Sequence, residues 1–144
     1  MSGSVSYLHL PADTTPPSIE EYRPFAALLV IEQPCARAWE AFVSDWLVRS
    51  GCLYMMAWGL GCSSWDDSVD HANLSAFDYG LIPDDAFVMT TWHADQPLTD
   101  ALWFAAHSVE HPTVPLERTI IIHISAEARQ AEFLAAFQTA REED

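Results

Sequence analysis

The chain has 144 residues, half of them hydrophobic, which suits one domain with a single substantial core. It carries 21 acidic residues against six basic ones, all of them arginine, for a net charge of -15. That sign repels phosphate backbones and anionic lipid, so nucleic-acid binding and membrane association are not expected, and the absence of lysine excludes Schiff-base chemistry.

No apolar run approaches the ~20 residues of a membrane span, and the N-terminus lacks the basic-then-apolar pattern of a secretory signal. Cys35, Cys52 and Cys62 are odd in number and lack C-x-x-C spacing. They fit neither a disulfide framework nor a zinc ribbon, and a reducing cytoplasm is the expected compartment.

Residues 1–24 read as an N-terminal arm, partly ordered, with a short extended piece at 7–10 and a break at Pro16 and Pro17. Residues 25–32 are apolar without alternation until Glu32, the pattern of a strand buried on both faces. In 36–49, Trp39, Phe42, Val43, Trp46 and Leu47 recur with helical period, and Gly51 is placed for a left-handed cap. Residues 52–58 form the second predicted strand.

The next stretch, 58–71, packs two Trp, one Cys, three Ser, three Asp and one His into fourteen positions. Ser64 is the predicted N-cap of a helix reaching 73–77, with Asp66 and Asp67 in its first turn. A third strand is predicted at 87–92. Asp95 then caps, and Pro97 opens, a helix over 98–109. A fourth strand spans 119–124. Ser125 caps a last helix reaching 141, with Phe133, Leu134 and Phe137 inward, and 142–144 are an acidic tail.

Strand and helix alternate four times. The expected fold is a single α/β domain over 25–141, a four-stranded, mainly parallel sheet with helices on both faces. This is a flavodoxin- or Rossmann-like three-layer sandwich, with strand order 2-1-3-4 expected. Right-handed crossovers put every strand-to-helix loop at one sheet edge. That edge should collect Glu32, Trp58, Cys62, Ser64, Asp66, Asp67, Trp92, His93, Asp95, His123 and Ser125.

Several chemistries compete there. Cys62, just before a helix N-terminus, is a candidate nucleophile, with His93 as base and Asp66 or Asp95 orienting it. The neighbouring carboxylates oppose thiolate formation, and a small packed Cys is the plainer alternative. Gly59 and Gly61 suggest a phosphate loop. Ser64 replaces its third glycine, however, and Asp66 and Asp67 repel anions, so the glycines read as a tight turn and no cofactor is expected. Asp67 with His71, and His107 with His111, stand four apart, but no metalloenzyme spacing is present and no metal is expected. Trp58, Trp65 and Trp92 beside acidic groups suit a flat or cationic ligand, or a basic side chain of a partner. The plainer alternative keeps Trp58 and Trp92 in the core and exposes only Trp65.

The segments Cys52-Leu-Tyr-Met-Met-Ala-Trp58, Cys62-Ser-Ser-Trp-Asp-Asp-Ser-Val-Asp70 and Phe87-Val-Met-Thr-Thr-Trp-His93 resemble an uncharacterised family of small bacterial proteins, a domain of unknown function. The resemblance covers roughly Tyr7 to Phe137. It implies a bacterial, cytoplasmic setting and no mechanism.

Two functional expectations follow, and whether the chain is an enzyme stays open between them. In the first, an acidic module binds a basic protein partner through the carboxyl edge of its sheet. Trp65 and Trp92 are then its anchors, with Trp58, Asp66, Asp67 and Asp95 around them. The second is a small hydrolase or transferase with Cys62 or a carboxylate as nucleophile and His93 as general acid/base. Homo-oligomerisation through an exposed aromatic face is a third use of the same surface.

Overall fold

Every residue of β2 (Phe25–Ile31) is buried, because strands flank it on both sides and helices cover both its faces. The structure, a computed structural model, describes residues 3–143; Met1 and Ser2 of the expected arm and Asp144 of the expected tail lie outside them. The elements in order are β1 (Ser4–His9), β2, α1 (Arg37–Ser50), β3 (Cys52–Gly59), α2 (Cys62–Ala76), β4 (Met89–His93), α3 (Leu98–His107), β5 (Arg118–Ile124) and α4 (Gln130–Glu142). The five strands are all parallel, in the order β1-β5-β2-β3-β4.

Alternation along β2 divides the core. Phe25, Ala27, Leu29 and Ile31 pack with Val43 and Leu47 of α1 and with Trp65 and Val69 of α2. Ala26, Leu28 and Val30 pack with Ala101, Leu102 and Ala105 of α3 and with Phe133 and Phe137 of α4. The expected α/β architecture with helices on both faces is therefore present. No helix of the described residues is long and apolar enough to cross a membrane.

The fifth strand comes from the arm. β1 pairs in parallel with β5, Leu8 beside Ile122 and His9 beside His123. It sits at an edge and is only half-buried, so it lacks the continuous apolar signature of β2. The order among the other strands also differs from 2-1-3-4. β3 and β4 step outward on one side of β2, and β5 returns to its other side. The winding direction reverses between β2 and β5, which makes a crevice outside their carboxyl ends.

Three expected caps are not caps. α2 starts at Cys62 after Gly61, whose φ of 61° is left-handed. Ser64 thus lies inside the helix, and its hydroxyl donates to the Glu40 carboxylate at 2.9 and 3.1 Å. Asp66 and Asp67 fall beyond the first turn, away from the N-terminal amides. Asp95 lies outside α3 with φ 59°, and Pro97 precedes Leu98 there. Ser125 lies five residues before α4 and donates to the Glu127 carbonyl at 2.7 Å. In each case the hydroxyl or carboxylate has a local partner other than a helix amide, or none.

Gly59 is required where it stands. Its φ is 106°, and a Cβ there would lie 2.2 Å from the Ile31 carbonyl oxygen. That carbonyl accepts the Leu60 amide at 2.9 Å. The glycines make the tight β3-to-α2 turn, as the sequence suggested.

Candidate functional site

The carboxyl ends of β1, β5 and β2 lie side by side, so His9, His123 and Glu32 come together at the reversal of winding. His123 continues the buried run of β5 and is fully enclosed, stacked on Phe133 at 4.3 Å between ring centres. Its Nε2–H donates to Glu32 Oε1 at 2.6 Å. With that proton placed, Nδ1 accepts from the Tyr7 hydroxyl at 2.7 Å. The Tyr7 oxygen in turn accepts the Arg129 backbone amide at 2.9 Å. The Arg129 guanidinium donates to both Glu32 oxygens at 2.8 and 3.0 Å, and His9 Nε2–H donates to the Ser125 carbonyl at 2.8 Å.

The charges agree with these bonds. Burial raises the Glu32 carboxyl, but the bonds from His123 and Arg129 outweigh burial and hold it below the ordinary glutamate value. Burial lowers the His123 imidazole and outweighs the opposing pull of Glu32, so the ring is neutral near pH 7. Every member of this network has its partners. It welds β1, β2, β5 and the start of α4 together, and His123 has no face open to a substrate.

The expected catalytic pair does not assemble. Cys62 is buried in the core under α1 and α2. His93 is buried on the other side of the sheet, edge-on to Phe104 of α3 at 4.7 Å, with Nε2 at 2.9 Å from the Thr91 hydroxyl. The sheet stands between them. His93 instead borders a hollow of about 430 Å³ at the carboxyl edge, together with Trp58, Asp95, Gln96 and Pro97. The Trp58 indole N–H donates to the Gln96 carbonyl at 2.8 Å.

The tryptophans also exchange roles. Trp65, expected as an exposed anchor, is 2 % exposed and packs edge-on against Trp39 at 6.1 Å. Trp92, placed in the core by the plainer reading, is 52 % exposed. β4 ends the sheet, and Trp92 stands near its carboxyl end. Two residues earlier on the same face, the Thr90 hydroxyl donates to Asp70 of α2 at 2.8 Å. The crossover helix runs against the strand. Two strand residues advance about 6.6 Å and four helix residues about 6 Å, so Trp92 lies level with Asp66.

Asp66, Asp67 and Asp70 lie on the part of α2 that packs against β4, with one carboxylate oxygen from each within 4.8 Å of the others. Among the described residues none of the three pairs with an arginine or histidine. Burial first, then the neighbouring carboxylates, pushes Asp66 and Asp70 above the ordinary aspartate value, despite Thr90.

The structure thus brings Trp58, His93 and Asp95 to one hollow and Asp66, Asp67 and Trp92 to one flank, while Cys62 and Trp65 join the core. Sequence reasoning missed Tyr7, His9, Asp70, Thr90 and Arg129. Asp70 follows Asp66 by four, a spacing that places both on one helix face, and it was legible. Tyr7 and His9 alternate, but their strand is short. Arg129 carries no pattern.

The chain belongs to the family described as Domain of unknown function (DUF7684), which matches residues 5–140. The match starts inside β1 and ends inside α4, so it spans the whole sheet. The expected membership of an uncharacterised family is borne out. No curated protein and no solved structure matches the chain.

Proposed function

We propose that the chain is an acidic binding module that docks a basic protein partner on the β4 flank, with Trp92 as the anchor. The observation that carries this reading is the half-exposed Trp92 indole on the outermost strand, whose neighbour Thr90 bonds Asp70 of the uncompensated α2 carboxylates. An exposed tryptophan rimmed by charge is the pattern of an interface hot spot. The net charge of -15 would steer a basic partner, and the free edge of β4 offers unpaired backbone groups. A bacterial cytoplasm is the setting that goes with this reading, and it would keep the three free cysteines reduced.

The test is affinity capture of a partner, followed by quantitative binding with Trp92→Ala and with an Asp67→Asn/Asp70→Asn double variant. Trp92→Ala should weaken binding at least about tenfold, the scale of a hot-spot truncation. The double variant should mainly slow association and flatten its salt dependence. A partner indifferent to both substitutions would overturn the reading.

One observation favours a second reading, the hydrolase or transferase in its carboxylate form. Asp95 and His93 share the 430 Å³ hollow with Trp58, and Asp95 holds a left-handed conformation that a non-glycine residue rarely adopts. Asp95 would then be the nucleophile and His93 the acid/base. Hydrolysis of simple esters or phosphate esters, abolished equally by Asp95→Asn and His93→Gln, is its expected outcome; turnover unchanged by both would remove it.

A further inference from the structure

We infer that Asp66, Asp67 and Asp70 form a binding site for a hard divalent cation of calcium's size. The acidic cluster alone would be an ordinary solvated helix face. The second observation is the state of Asp66. Its residue is 6 % exposed, it contributes an oxygen to the cluster, and its Oδ1 is buried with no hydrogen-bond partner. It is the one buried side-chain nitrogen or oxygen among the described residues left in that condition. Thr90 stands near both carboxylates, but its single hydroxyl proton is bonded to Asp70 at 2.8 Å and leaves Asp66 Oδ1 without a donor. A buried carboxylate oxygen without a donor or counter-charge costs free energy, and a cation removes that cost.

The donor set specifies the ion. All three ligands are carboxylate oxygens, which select hard cations over zinc or copper. The oxygens lie within 4.8 Å of one another. Three carboxylates on one helix face, with the remaining positions open to water, suit the larger and more flexible shell of calcium better than the strict octahedron of magnesium. Spacing at i, i+1 and i+4 on α2 brings the ligands together, and the bond from Thr90 fixes Asp70. Asp67 and Asp70 are exposed, which leaves room for water to complete the coordination shell.

This inference does not depend on the docking reading, since the chain alone should bind the ion. The test is calorimetric titration of the full chain with calcium chloride and with magnesium chloride, beside melting curves in sodium chloride of matched ionic strength. One calcium should bind per chain with a dissociation constant of roughly 0.1–1 mM, the range of open, low-affinity sites. Magnesium should bind more weakly. Asp67→Asn and Asp70→Asn, both at exposed positions that leave the fold intact, should each weaken calcium at least tenfold. Absence of saturable heat, or an equal response in wild type and both variants, would overturn the site, because the effect of calcium would then be general screening of a negative surface.

Discussion

Two groups of carboxylates meet opposite fates in this fold. Glu32, at the β2/β5 crevice, receives bonds from His123 and Arg129 and stays ionised below its ordinary range. Asp66 and Asp70, on the β4 flank, face each other and Asp67 with no cation near and are pushed above theirs. The crevice is where a doubly wound sheet ordinarily binds ligands, yet here it is filled by a satisfied network. The flank has the unmet charge and the exposed tryptophan. Position in the topology nominates the first region, whereas the accounting of partners nominates the second.

The two regions differ most at His123. Replacing it with Ala opens a cavity against Phe133 and removes one partner each from Tyr7 and Glu32. We expect a loss of about 3–4 kcal/mol in urea unfolding, from cavity and unsatisfied groups together. A loss below about 1 kcal/mol would mean that the crevice is not structural and that its residues are free for another task.

Acid should expose the same difference with a smaller effect. His123 has its folded value lowered, so the unfolded chain takes up the proton more readily. Its contribution is complete above the ordinary histidine value of about 6.5 and is lost as pH falls toward the lowered one. Glu32 adds loss in the same direction at lower pH, since its folded value is also depressed. Wild-type stability should therefore fall as pH drops below about 6.5, and His123→Gln should flatten that part of the curve. Equal slopes for the two proteins would count against a buried neutral His123.

Asp66→Asn should act in the opposite sense. Removing a buried charge with no counter-charge should raise stability by about 1 kcal/mol at neutral pH. The folded value of Asp66 is raised, so the cost of ionisation is complete above it and fades as pH falls through it. The advantage of Asn should therefore vanish in acid. Calcium should reverse the ranking, because the wild type gains a ligand-linked stabilisation that Asn cannot match. A variant no more stable than wild type at pH 7 would mean that Asp66 is already compensated.

The two regions were not equally legible in the sequence. Four strands, four helices and the α/β class follow from apolar runs and helical periods, as β2 and α1 illustrate. β1 was read only as a short extended piece at 7–10 of the arm and not as a strand of the sheet, because an edge strand has one half-covered face and a weak pattern. Glu32 and His123 were placed at the right edge by their strands, but Tyr7 and Arg129 join them only through pairing across 116 and 97 residues. On the flank, Asp66 and Asp67 were seen and placed in the first turn against the helix dipole, a placement that failed because the helix starts at Cys62, ahead of Ser64. Trp65 was expected outward and is buried, while Trp92 was left between anchor and core, because the sequence does not show which way a helix position or a strand-end position on the outermost strand faces.

The smallest expected change in stability is the most informative about function. Trp92 is half-exposed near the end of an edge strand, and truncating it to Ala removes little buried surface. The remaining cost is the weaker strand preference of Ala, so the melting midpoint should correspond to a change within about 0.5 kcal/mol of wild type. On the proposed docking reading, the exposed face of this indole is reserved for the partner. Trp92→Ala should thus separate the two properties, leaving unfolding almost unchanged while weakening partner binding. A loss of about 2 kcal/mol or more in unfolding would instead make Trp92 a packing residue that shields the flank of α2, and the anchor would have to be sought elsewhere.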